Sequence, residues 1–183
     1  MLFRSGLALS ALVASGLADS GGTYHAKAAR VAKLLGEELW DGAHLSRAQV
    51  NGRPIGVATL RDYAYAAAGL YAWSKVSADA QAAATAAEMV KVAWHEFHGP
   101  GGWQLSADRL VDLGPSVLAM TDRALPAPTA TLMRLTLALE PPLADEQLRQ
   151  RAAQSAARFP AEVDANPFGY ASHVVNAHDL LVK

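Results

Sequence analysis

Apolar residues return every three to four positions along most of the chain, the period of helices packed on one side. The spacing predicts a first helix over Ser5–Ala18, with Leu9, Leu12 and Val13 on one face and Leu17 beyond. A second runs over Tyr24–Leu39, carried by Ala28, Val31, Leu35 and Leu39. Five more are predicted over Leu60–Lys75, Asp79–Phe97, Pro128–Leu139, Asp145–Phe159 and Phe168–Val182. Start signals support them. Thr59 with Asp62 three residues on forms a short capping box, and Ser77 stands as the cap of the fourth helix. Pro128 suits a first helical turn, which needs no amide donor. Asp145 and Glu146 suit the positive end of a helix dipole. Strand alternation is confined to His44–Gly56, where Asn51-Gly52 is a hairpin turn signal.

The helices fall into pairs. Gly6–Leu35, Asp62–Val92 and, more weakly, Ala130–Phe159 each give an apolar helix, a tight turn and an alanine-spaced helix. This is an internal repeat of antiparallel αα-hairpins. The links between pairs, Trp40–Ala58 and Gly99–Ala127, are long and hold Gly, Pro, Trp and Arg. Long structured loops between rigid elements commonly carry function. Short turns therefore belong at one end of the stack and long loops at the other. The irregular, large period argues against a tetratricopeptide array. A curved or toroidal layer, with inner and outer helices and loops rimming an inner cavity, fits better.

Composition narrows the partners. Hydrophobic residues make up 51% of the 183, yet no apolar run approaches the roughly 20 residues of a membrane span. Sixteen basic residues against 17 acidic ones leave a formal net charge of -1, so nucleic acid is not an expected partner. The absence of cysteine removes disulfides, thiolate nucleophiles and cysteine-ligated zinc together. Residues 1–18 have two readings: a secretory leader, from Arg4, the apolar Gly6–Leu17 stretch and a small-residue end, or the first helix of the fold. The second is preferred because that helix has a repeat partner; it goes with a cytoplasmic location, the first with secretion.

Candidate chemistry gathers at the long loops. Asp62 and Tyr63 open the third helix, where a carboxylate and a phenol could hold sugar hydroxyls; the alternative is that Asp62 caps and Tyr63 packs. Arg47 and Arg53 lie in the first loop, Trp103 and Asp122 in the second, and loop–loop pairing is the alternative to a binding rim. Pro126 and Pro128 stiffen the approach that presents Asp122 and Arg123 near a helix start. Asp62 with Asp122 or Asp112 could form a carboxylate pair for glycoside chemistry. "WHEFH", Trp94–His98, lacks the spacing that puts two imidazoles on one helical face, so no metal is expected. His173 and His178 are not placed as a general base. No P-loop, dinucleotide fingerprint or nucleophile elbow occurs, and no cofactor is expected.

These residues also carry a resemblance. Leu45-x-Arg47, Gly52 and Leu60-x-Asp62-Tyr63-Ala64, then Gly101-Gly102-Trp103, then Asp122-x-x-x-Pro126 before a helix look like the C-terminal part of the spermatogenesis-associated, thioredoxin-domain (YyaL-type) family. The resemblance spans nearly the whole chain. It implies an all-α fold of antiparallel αα-hairpin repeats forming part of an (α/α)6 toroid, similar to N-acylglucosamine 2-epimerase and six-hairpin glycosidases. It also implies one partial toroid domain over residues 1–183, without the family's upstream thioredoxin-like domain, and the missing N-terminal part as a partner. A saccharide-like ligand is implied, with Asp62 and Asp122 as candidate catalytic residues and Tyr63, Arg47, Trp103 and Arg123 as ligand-binding ones. Any activity would be of sugar epimerase or glycoside-processing type. The chain departs from the pattern at Ala127 and Thr129, where the family has Ser and Asn, and at Arg4-Ser5, where it has Trp-Asn. A non-enzymatic helical interaction module is the competing class.

Overall fold

The computed structural model describes residues 2–17, 22–107, 116–157 and 161–181, and they are mostly helical. Helix α1 is Leu2–Gly16, and α2 is Thr23–Lys33, which runs on into a π-helical turn, Leu34–Glu38. Helices α3 (Leu60–Ser77) and α4 (Ala80–Phe97) form the longest pair. A short α5 (Val117–Met120) precedes α6 (Pro128–Ala138) and α7 (Glu146–Ala157). Then come α8 (Ala161–Ala165), a 3-10 turn (Pro167–Tyr170) and α9 (Ala171–Leu181). Two small hairpins interrupt the helices, β1 (Ser46–Val50) with β2 (Arg53–Val57), and β3 (His98–Gly99) with β4 (Gly102–Trp103). No described helix is long and apolar enough to cross a membrane.

Helices α1, α3, α6 and α9 lie side by side in that order and run in the same direction. The α1–α3 register follows from Phe3 meeting Asp62 and Leu9 meeting Gly69. For α3–α6, the Tyr65 hydroxyl donates to Pro126 O (2.6 Å) near the start and the Tyr71 hydroxyl donates to Ala138 O (2.8 Å) at the end. For α6–α9, Thr129 meets His173 and Arg134 meets Asn176. Helix α4 returns antiparallel to α3, because Tyr63 stacks near Phe97 while Trp73 Nε1–H donates to Asp79. Helices α3 and α4 thus form an antiparallel hairpin.

The ends of this row differ. Short turns meet at one end, where Lys75 pairs with Glu140 (3.2 Å). At the other end the long loops meet: Leu60 N–H donates to Leu105 O (3.0 Å), Ala58 N–H to Leu45 O (3.2 Å) and Asp122 N–H to Gly169 O (2.7 Å). As far as they are described, Trp40–Ala58 and Gly99–Ala127 gather where the parallel helices begin.

Local rules explain most boundaries. Thr59 and Asp62 form the expected capping box. Asn51 (φ 50°) and Gly52 (φ 75°) both take positive φ, the turn that matches the twist of a two-residue hairpin. The cap of α4 is Asp79, which accepts from Ala82 N–H (2.9 Å), and not Ser77. Ser77 is the last residue of α3 and its hydroxyl returns to Trp73 O (2.8 Å), while Ala78 turns the chain in the left-handed region. The π turn widens the end of α2 through Leu39 N–H to Leu34 O (3.1 Å). Helix α5 and the 3-10 turn are too short to show a helical period.

Packing between α1 and α3 is backbone against backbone. A Cβ placed on Gly6 would lie 2.3 Å from Tyr65 O, and one on Gly69 would lie 2.7 Å from Gly6 O. Ala64, Ala66 and Ala67 of α3 and Ala86 and Ala87 of α4 are buried, and Trp94, Phe97, Leu35 and Leu60 fill the layer behind. Alanine is ordinarily favoured over glycine within a helix by about 1 kcal/mol. At Gly6 the clash with main chain outweighs that gain. Gly6→Ala is expected to lower stability by about 1–3 kcal/mol, read as a fall of about 2–4 °C in Tm per kcal/mol. Gly99→Ala, where the new methyl meets open space, leaves Tm nearly unchanged. A Gly6→Ala protein that melts higher than the parent would contradict this packing.

Candidate functional site

Two aspartates tie the starts of the parallel helices together. Asp62 is 1% exposed. Its Oδ2 accepts from Thr59 N–H (2.9 Å) and the Thr59 hydroxyl (2.8 Å), at the start of α3. Its Oδ1 accepts from Phe3 N–H (3.0 Å), in the first turn of α1. Asp122 repeats the arrangement one pair further on. It accepts from Ala127 N–H (2.6 Å), at the start of α6, and from Ser172 N–H (2.6 Å) and the Ser172 hydroxyl, at the start of α9. Parallel neighbours bring two positive dipole ends and two sets of unpaired amides together. A carboxylate between them satisfies both.

The other residues singled out by sequence divide into two groups. Tyr63 is buried; its hydroxyl accepts from Leu45 N–H (2.9 Å) and its ring packs on Trp40 and Phe97. Burial raises that phenol above its ordinary range. Trp103 is buried between Trp94 and His98, with ring centres 4.7 and 4.6 Å away. Arg47 is half-exposed with its Nε 4.0 Å from Asp62 Oδ2, and Arg53 is exposed on β2. Asp62, Tyr63, Trp103 and Arg47 therefore anchor the first loop and the β3–β4 hairpin to the helix row. Asp122 and Arg123 stand apart from them, at the cleft described next. Asp112 lies outside the described residues. His95 is exposed beside Glu96 (2.9 Å) and His178 is exposed beside Asp179 (3.6 Å). Among the described residues no three His, Asp or Glu side chains come together as a metal site.

A cleft of about 800 Å³ opens between α1, α3, α6 and α9. Asp122 and Arg123 line its mouth, with Phe168, 88% exposed, beside them. Ser10, Tyr65, Thr131, Arg134 and Asn176 supply polar groups along its walls. Arg134 is held by its Nε–H donating to Asn176 Oδ1 (3.0 Å), with a second nitrogen 3.7 Å from Asp179. Asn176 in turn donates to Ala130 O (2.8 Å). Leu7, Ala68 and Val175 are among the apolar residues of its walls.

Sequence reasoning missed Tyr65, Arg134, Ser172 and Asn176. Two signals were available. Tyr65 is three residues from Asp62, so it shares a helical face with it. Arg134 is the one charge inside the apolar run of α6, and a lone charge there has to face a polar surface. Ser172 and Asn176 are four apart on α9, but nothing in their spacing points at α6.

Compared with models of known protein families and with curated proteins, the chain matches none.

Behind the cleft, α9 buries His173 completely. Its Nε2 lies 3.1 Å from the Thr129 hydroxyl, which donates to Ala119 O (2.8 Å). Thr129 is thus part of the core and not of the cleft. Burial pushes the His173 imidazole down to about 4, from about 6.5 in an unfolded chain. The folded state therefore favours the neutral ring, and on acidification the unfolded chain takes up the proton first. The stability from this group is complete above pH 6.5 and is lost as pH falls through that value toward 4. Urea unfolding at pH 7 and at about pH 4.5 is the check: His173→Gln is expected to lose about 2 kcal/mol less than the parent between the two conditions. Equal losses would contradict a buried neutral His173.

Proposed function

We propose that the chain is a small-molecule-binding helical module whose cleft between α1, α3, α6 and α9 takes a saccharide-type ligand. The observation that carries the proposal is the cleft itself, walled by all four parallel helices and by the Asp122–Pro126 end of the second long loop. Concave sites with mostly apolar walls and a few fixed polar groups are the usual form of ligand pockets. The Ser10 and Thr131 hydroxyls donate to Gly6 O and Ala127 O and keep acceptor lone pairs for sugar hydroxyls, and Phe168 offers a ring face at the mouth. The parallel row with helices returning behind it supports an arc of an (α/α) toroid. The proposed kinship with the thioredoxin-domain family rests on the loop motifs around Asp62-Tyr63-Ala64 and Asp122–Pro126. A role for a further, upstream part of the toroid as a partner belongs to the same proposal.

Binding is favoured over proton transfer by one feature. The oxygens of Asp62 and Asp122 are already engaged by main-chain and hydroxyl donors, so an epimerase or glycosidase reading would need other acids. The second reading, a cleft that takes a partner segment, draws on the apolar side chains Phe168, Val174 and Val175 exposed along one side.

Thermal melts with a panel of mono- and disaccharides separate the two. A ligand at about 100 times its Kd adds about 2.7 kcal/mol of stability, a rise of about 5–10 °C for a chain of this size. One or more saccharides are expected to give such a rise, and Phe168→Ala to reduce it. A panel with no response, alongside a melt raised by an apolar peptide, would replace the saccharide reading with the partner-segment one.

A further inference from the structure

Charge on the walls of the cleft says more about what enters it. One acid and two cations face the space, Asp122 against Arg123 and Arg134. The negative charge of Asp122 is spent locally, because both oxygens accept from donors at the positive ends of α6 and α9. Arg134 has its Nε–H on Asn176 and a half-exposed ion pair with Asp179 at 3.7 Å, which leaves part of its five-donor fork open to the cleft. The Arg123 guanidinium has no partner among the described residues; only its main-chain N–H is engaged, to Leu125 O (3.0 Å). The turn Arg123–Leu125 and Pro126 behind it fix where that side chain starts. Arg134 stands six residues along α6 from Pro128, about 9 Å. Both side chains are exposed, and they start from different heights along the cleft.

A cation with no partner among the described residues, with a second further along the same cleft, suits a ligand that brings its own negative charge. Guanidinium groups form bidentate, charge-assisted bonds with carboxylate and phosphate. Building on the saccharide reading, we propose that the cleft's ligand is an anionic sugar, bearing a carboxylate or a phosphate that Arg123 receives while Arg134 adds the second positive charge. The remaining donors of the walls then meet the hydroxyls.

The test is calorimetric titration of the full chain with glucuronate, glucose 6-phosphate, glucose and inorganic phosphate. The anionic sugars are expected to bind at least about tenfold more tightly than glucose, a difference of about 1.4 kcal/mol. That advantage should shrink as salt rises. Arg123→Gln should remove it, while Arg123→Lys keeps part of it; Arg134→Gln should reduce it independently. Because Arg123 is exposed, its replacement leaves the fold intact, which the melt verifies. Glucose binding as tightly as the anionic sugars would overturn the anion inference and leave the saccharide reading standing. Inorganic phosphate binding as tightly as glucose 6-phosphate would support Arg123 as an anion receptor and remove the sugar. No binding by any of the four overturns both.

Discussion

A carboxylate held between two helix starts is the interaction on which this fold depends. Four helices run side by side in one direction, which stacks their positive ends and their unpaired first-turn amides at one pole. Left alone, that arrangement is unfavourable, and antiparallel packing would be preferred. Asp62 resolves it for α1 and α3, and Asp122 for α6 and α9. Each aspartate answers to two helices, so each also fixes the axial register of one against the other. The glycine contact between Gly6 and Gly69 works within the register that Asp62 sets.

That solution determines where function can sit. The carboxylates hold the helix starts together at the pole where the long loops arrive, and the loops are anchored there in turn. Tyr63 takes the first through Leu45, and Tyr65 takes the second through Pro126. The cleft lies on the exposed side of this anchored pole. Its polar groups come from helix walls, which are rigid, and its mouth from a proline-stiffened loop. Residues that look catalytic in the sequence are therefore occupied in holding the site open. The exposed side chains along the cleft are less conspicuous in the sequence: Arg123, Arg134 and the ring of Phe168.

Much of the architecture was legible because its signals are local. Thr59 with Asp62, Pro128 at the start of α6 and Asn51-Gly52 in the hairpin each act within four residues, and the structure follows them. Asp79 was passed over in favour of Ser77 because both are good caps, and the choice between them turns on where Ala78 breaks the chain. The dual role of the aspartates was half legible. Their bonds to the helix start nearer in sequence follow from spacing, but the bonds to Phe3 and Ser172 join positions far apart in sequence. Tyr63 and Trp103 read as rim residues because loop aromatics often are. Here Phe97, Trp94 and His98 supply enough apolar surface to bury them. Of the cleft, the sequence shows the Asp122–Arg123 edge but not the walls, since those come from four separate helices.

The central claim is that each aspartate holds a pair of helices, and native-state hydrogen exchange reports it directly. In Asp122→Ala, protection is predicted to fall in the first turns of both α6 and α9, while the first turns of α1 and α3 keep theirs; Asp62→Ala is predicted to give the mirror-image pattern. Loss confined to the helix that directly follows each aspartate, or spread evenly over all four helix starts, would contradict the account.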